Sequence, residues 1–234
     1  MGITHQKRRT VIVGLLLAFF SLVVFINIPK PTQPVSDPEP KTNTAVVTSP
    51  ATETLKTLVI KERGSNEDYV RDKFGSDWTS VSGCDTRNII LNRDLLSVVV
   101  GDKCTVISGL LNDPYTGKLI NFVRGKDTSG DVQIDHVVAL SNAWQTGAQQ
   151  FTPAERIKLA NDPLELLAVD GKANMEKSDG DAAAWLPPNK PFRCQYIARQ
   201  IAIKHKYSLW VDQPEYDAIS KVLQDCPGQM LPSP

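Results

Sequence analysis

Histidine is scarce in this chain, with three copies in 234 residues, and no two cysteines stand in a C-x-x-C pair. These absences argue against a zinc ribbon. With His5 near the N-terminus set aside, only His136 and His205 remain as imidazole ligands, which disfavours a zinc hydrolase as well. Net charge is also missing, since 26 Lys and Arg balance 26 Asp and Glu. A polybasic protein whose overall field condenses onto nucleic acid is therefore excluded. Any handling of DNA or RNA must use a local site. No internal repeat is seen. What is present, 41% hydrophobic and 22% charged residues, excludes wholesale disorder and fits one domain.

The zero charge is unevenly spread. Residues 1–29 carry Lys7, Arg8 and Arg9 and no acid, whereas residues 64–234 carry 18 basic and 22 acidic side chains. Residues 11–28 form a run without charge, long enough at ~1.5 Å per residue to span a bilayer core. The basic flank before it predicts a single-pass anchor over residues 1–28, with the bulk of the chain outside the cell. A cleavable signal peptide, giving a secreted protein, is the competing reading. Residues 29–56 hold six prolines and six threonines and read as an extended linker. The folded domain is expected over residues 57–234. Cys84, Cys104, Cys194 and Cys226 make an even set in an exported chain, which suggests two disulfides. Of three connectivities, Cys84–Cys104 and Cys194–Cys226 are favoured, because each joins sequence neighbours across a short excursion.

The domain reads as mixed α+β. Helices are expected over residues 65–74, stopped by Gly75, and over 86–96. Strands are expected over 104–111, 118–123, 132–140 and 164–169. Residues 141–147, 152–160, 192–207 and 213–223 read as helices. Thr152 and Glu155 form a capping-box pattern with Pro153 between them.

His136 follows Asp135 inside an apolar strand. Burying the two side by side is costly unless they are bonded or hold a metal. A satisfied core histidine is the plain alternative. Adjacent strand residues also point to opposite faces, so a shared cleft needs a twist or a bulge. Downstream, Asn161 ends a helix, Asn174 opens one after the Leu-Glu-Leu-Leu-Ala-Val strand, and Lys177 follows one turn later. Taken singly, these are a C-cap, an N-cap and a surface charge. Residues 182–211 contain no acid but hold Lys190, Arg193, Arg199, Lys204, His205 and Lys206. That stretch is either a phosphate-tracking groove or an ordinary solvated helix face. Trp185 and Trp210 read as core rather than as base-stacking platforms.

Four blocks in order resemble a known family: Gly83-Cys84-Asp85-Thr86-Arg87-Asn88, Asp113-Pro114-Tyr115-Thr116-Gly117, Ile134-Asp135-His136-Val137-Val138-Ala139-Leu140, and Asn174 to Lys177 with Trp185-Leu186-Pro187-Pro188. They resemble the HNH endonucleases with a ββα-metal core, in the exported branch related to the C-terminal nuclease domain of GmrSD-type restriction enzymes. The resemblance implies a fold of that core with additional helices. It implies His136 as general base, Asn161 fixing its ring, and Asp135 and Asn174 as ligands of Mg²⁺, or of Mn²⁺. Lys177 would add positive charge at the phosphate, and Arg87 is a further catalytic candidate. The implied activity is hydrolysis of DNA, with RNA as an alternative substrate, and with little sequence specificity. The rival reading is a catalytically inactive, membrane-tethered extracellular binding domain on a nuclease scaffold.

Overall fold

The computed structural model describes residues 50–232. The expected anchor over residues 1–28 and most of the expected linker lie outside these residues. Among the described residues, no helix is long and apolar enough to cross a membrane.

The chain enters the fold earlier than residue 57. Helix α1 (Ala51–Leu55) buries Ala51 and Leu55 against the C-terminal helices α6 (Arg193–Lys206) and α7 (Gln213–Gln224). Proline and threonine content alone marked this stretch as linker, but its Ala-Thr-Leu positions supply a short apolar face. The next residues run as an arm across the domain. Ile60 bridges to Val211, the Lys61 N–H donates to the Val211 carbonyl, and the Gly64 N–H donates to Gln145. The helix expected over 65–74 is only a short 3₁₀ turn, Arg71–Phe74, ended by Gly75 at φ 99°. Phe74 anchors it in a cluster with Trp144 and Leu159.

A short hairpin, β1 (Ser80–Val81) and β2 (Cys84–Asp85), leads into α2 (Thr86–Asp94). Asp85 caps that helix by accepting from the Asn88 N–H. The helix expected to reach Leu96 stops at Asp94, and Leu95–Val100 forms β3 instead. Leu-Leu-Ser-Val-Val-Val is β-branched at its end and pairs with β4 (Val106–Asn112), which pairs in turn with β5 (Leu119–Val123). Disulfide Cys84–Cys104 ties this sheet to the start of α2. Cys194–Cys226 joins α6 to the segment after α7, so both expected pairings are present.

The centre of the fold is a second, two-stranded antiparallel sheet. In it β6 (Val132–His136) pairs with β7 (Leu166–Asp170), with Val132 opposite Asp170 and His136 opposite Leu166. Between the strands the chain makes α3 (Leu140–Gln145) and α4 (Pro153–Ala160), the latter with the expected capping box at Thr152. Helix α5 (Gly171–Lys177) follows β7 directly. Its cap is Asp170, which accepts from the Ala173 N–H, and not Asn174. Only glycine fits at the join, since a Cβ on Gly171 would lie 2.0 Å from the Gly130 carbonyl oxygen.

Alternation along these strands divides the core. Val132, Ile134, Leu166 and Ala168 face α2 and the three-stranded sheet. Leu167 and Val169 face α1, α6 and α7. Burial on both faces explains why β7 reads as a continuous apolar run.

Candidate active site

The turn Asp113 to Gly117 places one partner of the site. Asp113 accepts from the Thr116 N–H and hydroxyl through one oxygen and from the Asp170 N–H through the other. Gly117, at φ 73°, lets the chain reverse. The turn thereby buries Tyr115 among Trp185, Phe192 and Tyr196. From there the Tyr115 hydroxyl donates to Asp135.

Asp135 is buried on the α5 side of β6. Its other oxygen accepts from Lys177 Nζ at 2.9 Å, and the same ammonium donates to the His136 carbonyl at 2.8 Å. Burial raises the Asp135 carboxyl above its ordinary range, while Lys177 and Tyr115 pull it back. Lys177 is thus a buried counter-ion and not the exposed phosphate contact expected from the sequence.

His136 leaves the opposite face of the strand. Its ring stacks on Trp78, 5.7 Å between centroids and 8° from parallel. Nε2 lies 2.9 Å from the Ala160 carbonyl oxygen. A carbonyl only accepts, so Nε2 carries the proton and Nδ1 keeps its lone pair. Burial, with the positive charges of Arg71 and Lys177, lowers the imidazole pKa from 6.5 to about 3. The ring is therefore neutral at physiological pH.

Asn161 was expected to fix that ring; the neighbouring Ala160 carbonyl does so instead. The Asn161 side chain accepts from the Thr79 N–H at 3.0 Å and donates to the Ile157 carbonyl at 3.0 Å. It holds the segment next to Trp78 in place. Arg87 is not brought to the site either. It donates to the carbonyls of Ser129 and Val132, at the far end of β6, roughly 13 Å of strand from His136.

Asp135, His136 and Asn174 do line one cleft, of about 460 Å³, together with Asn66, Arg71 and Ser178. Asn174 donates its amide to Gln133 Oε1 at 2.8 Å, and among the described residues its own carbonyl oxygen accepts no hydrogen bond. A carboxylate and a carboxamide oxygen make a donor set suited to a hard divalent cation that keeps most of its water. Asp135 already accepts two bonds, but a carboxylate offers about four lone-pair sites. The residues present therefore fit such an ion.

Four of the six basic side chains of residues 182–211 are engaged within the chain, Arg193 among them through the Pro187 carbonyl. Arg199 donates to the Leu164 carbonyl, Lys204 is buried against Glu215 and Asn142, and Lys206 pairs with Asp162 at 2.5 Å. Trp185 packs in the core as expected. Elsewhere, Asp181, Asp212 and Glu215 have oxygens within 4.8 Å of one another. Arg63 pairs with the first two, and Lys204 with the third, so two cations of the chain offset most of this cluster's charge.

Residues 85–222 match the family described as GmrSD restriction endonucleases, C-terminal domain. The chain belongs to that family. It is also 36% identical over 181 residues to a protein of Arthroderma benhamiae described as an uncharacterized secreted protein, an alignment covering 76% of this chain and 85% of the relative. No solved structure matches. The family points to an endonuclease that acts on nucleic acid, a class that usually uses divalent metals. The secreted relative and the two disulfides fit an extracellular location. The family match begins after the arm, so Arg71 and Trp78 were outside every block that carried the resemblance. Nothing in their local sequence marks them. Tyr115 was inside such a block, and a large aromatic in a tight Asp-Pro-x-x-Gly turn was the available signal.

Proposed function

We propose that the chain is an extracytoplasmic, metal-dependent endonuclease of the HNH type, hydrolysing phosphodiester bonds of DNA with little base preference. RNA is the alternative substrate. In this reading β6, β7 and α5 are the ββα element, and the insert α3–α4 lengthens its loop. The observation that carries it is the convergence of His136, Asp135 and Asn174 on one cleft, with His136 neutral and unprotonated at Nδ1. Asp135 and Asn174 would hold the divalent ion, Mg²⁺ or Mn²⁺. Bound there, it supplies Lewis acidity to the scissile phosphate and the leaving oxygen. Nδ1 of His136 takes the proton of the water that attacks phosphorus. The Ala160 carbonyl and the Trp78 ring keep that nitrogen aimed. An imidazole with a pKa near 3 is a weak base, but a phosphate anion in the cleft opposes the repulsion from Arg71 and Lys177 and raises it.

The non-enzymatic binding domain stays as a second reading on one observation: both Asp135 oxygens already accept hydrogen bonds within the chain. The test is cleavage of plasmid DNA and of RNA by the oxidised protein with Mg²⁺, Mn²⁺ or EDTA, beside His136→Ala. Metal-dependent cutting that disappears in the variant supports the nuclease. No cutting with either metal favours the binding domain.

A further inference from the structure

The divalent ion would meet part of the charge of a phosphodiester, and a protein cation beside the non-bridging oxygens would meet more of it. The residues that the sequence offered for this role are occupied. Lys177 is buried on Asp135, and Arg87 sits on two carbonyls at the far end of β6.

Among the described residues that line the cleft, one is basic: Arg71. We propose that Arg71 grips the scissile phosphate, and that the arm outside the family match completes the active site by delivering it. This rests on the endonuclease reading above.

Two observations support the assignment. First, the arm is built as a fixed support. Arg63 pairs with Asp212 at 2.6 Å and with Asp181, Gln149 donates to the Ser65 carbonyl, and Arg156 donates to the Lys73 carbonyl at 3.1 Å. Phe74 is buried, and Tyr69 stands 6.3 Å from the Trp144 ring. An arm held by partly buried ion pairs and aromatics can present a side chain at a fixed position.

Second, Arg71 itself is exposed and has no carboxylate of the described residues within ion-pair distance, unlike Lys177, Lys204 and Lys206. Asp179 also lines the cleft, but its hydrogen bond comes from the Ser141 hydroxyl. One Arg71 N–H donates to the Gly75 carbonyl at 3.1 Å. That bond orients the guanidinium and leaves roughly four N–H donors for an anion.

The experiment uses Arg71→Ala and Arg71→Lys in two backgrounds. In the otherwise native protein, cleavage of DNA gives kcat/KM. In the His136→Ala background, anisotropy of a short fluorescein-labelled DNA duplex gives the binding constant across about 50–200 mM salt. Arg71→Ala is expected to lower kcat/KM by roughly 100- to 1,000-fold and to leave the melting temperature unchanged. Arg71→Lys should recover part of that loss. The slope of log Kobs against log salt should become shallower by about one.

Cleavage by Arg71→Ala at the native rate overturns the proposal. So does a loss of activity accompanied by a lower melting temperature and an unchanged salt slope, since that pattern reports a structural role through the Gly75 bond. If the native protein cuts neither DNA nor RNA, the endonuclease reading fails by itself. The salt slope then still decides whether Arg71 meets a phosphate, and an unchanged slope overturns that too.

Discussion

Replacing Lys177 by methionine separates the two roles available to this residue. In the structure its side chain is 0% exposed, and the Asp135 carboxylate it neutralises is 6% exposed. Methionine keeps the volume and removes the charge. Asp135 is left with Tyr115 alone, and the His136 carbonyl loses its donor. Stranding one member of a buried pair costs about 3–5 kcal/mol. For a domain of this size each kcal/mol lowers Tm by roughly 2–4 °C, so the expected loss is roughly 6–20 °C. Asp135 has one escape, which is to take up a proton. Its carboxyl is already raised by burial, and without Lys177 it rises further. The unfolded carboxyl titrates near 3.8. The penalty is therefore full at neutral pH and shrinks as pH falls toward that value, where both states are protonated. Melting curves of the native and Lys177→Met proteins between about pH 4 and 8 measure this. Adding Asp135→Asn should return much of the loss. A deficit of under ~2 °C that stays flat with pH would refute the buried pair and restore Lys177 as a solvated phosphate contact.

Three further outcomes are expected. His136 titrates near 3 when folded and near 6.5 when unfolded, so in EDTA the stability should fall as pH drops below about 6.5, and His136→Phe should flatten that decline in denaturant titrations; equal slopes for both proteins would count against the buried neutral ring. Burial pushes Glu165, whose carboxylate accepts from the Val138 N–H, well above 4.5. Its stabilising contribution is present below that value and lost as pH rises, so Glu165→Gln should gain on the native protein at about pH 8 and not at about pH 4; a pH-independent difference contradicts this. Removing Cys194–Cys226, which closes a separation of 32 residues, should cost about 3–4 kcal/mol by chain entropy, read from denaturation of the Cys194→Ala/Cys226→Ala protein; a loss below ~1 kcal/mol would mean that packing of α6 on α7 suffices alone.

Most elements of this fold were legible because their signals are local. The capping box at Thr152, the glycine after Phe74 and the Asp-Pro-Tyr-Thr-Gly reversal each act within a few residues. Strand β3 was not legible. Leu95 and Leu96 continue the helical pattern of α2, and only pairing with Leu111 and Leu110 draws them into a sheet. Strand β6 was read four residues too long for a related reason. Val137 to Leu140 are buried, Val137 in the core beside α6 and Val138 and Leu140 in the cluster around Trp144, and apolar content does not distinguish this from a strand. At the site, residue types were legible and partners were not. A lysine one turn after Asn174 looks the same in sequence whether it faces solvent or Asp135, because the choice depends on Tyr115 and α6 closing over it.

The objection that Asp135 and His136 must face apart is correct, and the fold makes use of it. Asp135 points to the α5 side, where Lys177 and Tyr115 hydrogen-bond its carboxylate. His136 points to the other side, where Ala160 and Trp78 clamp its ring. No bulge is needed, since Asp135 and His136 pair in register with Leu167 and Leu166. What joins them is position. His136 is the last residue of β6, and beyond it the chain turns into α3. A cleft at the end of a strand sees both of its faces, whereas a cleft over the middle sees one. In the proposed reaction the pair can meet one substrate only at this terminus, with α5 closing one side and the arm the other.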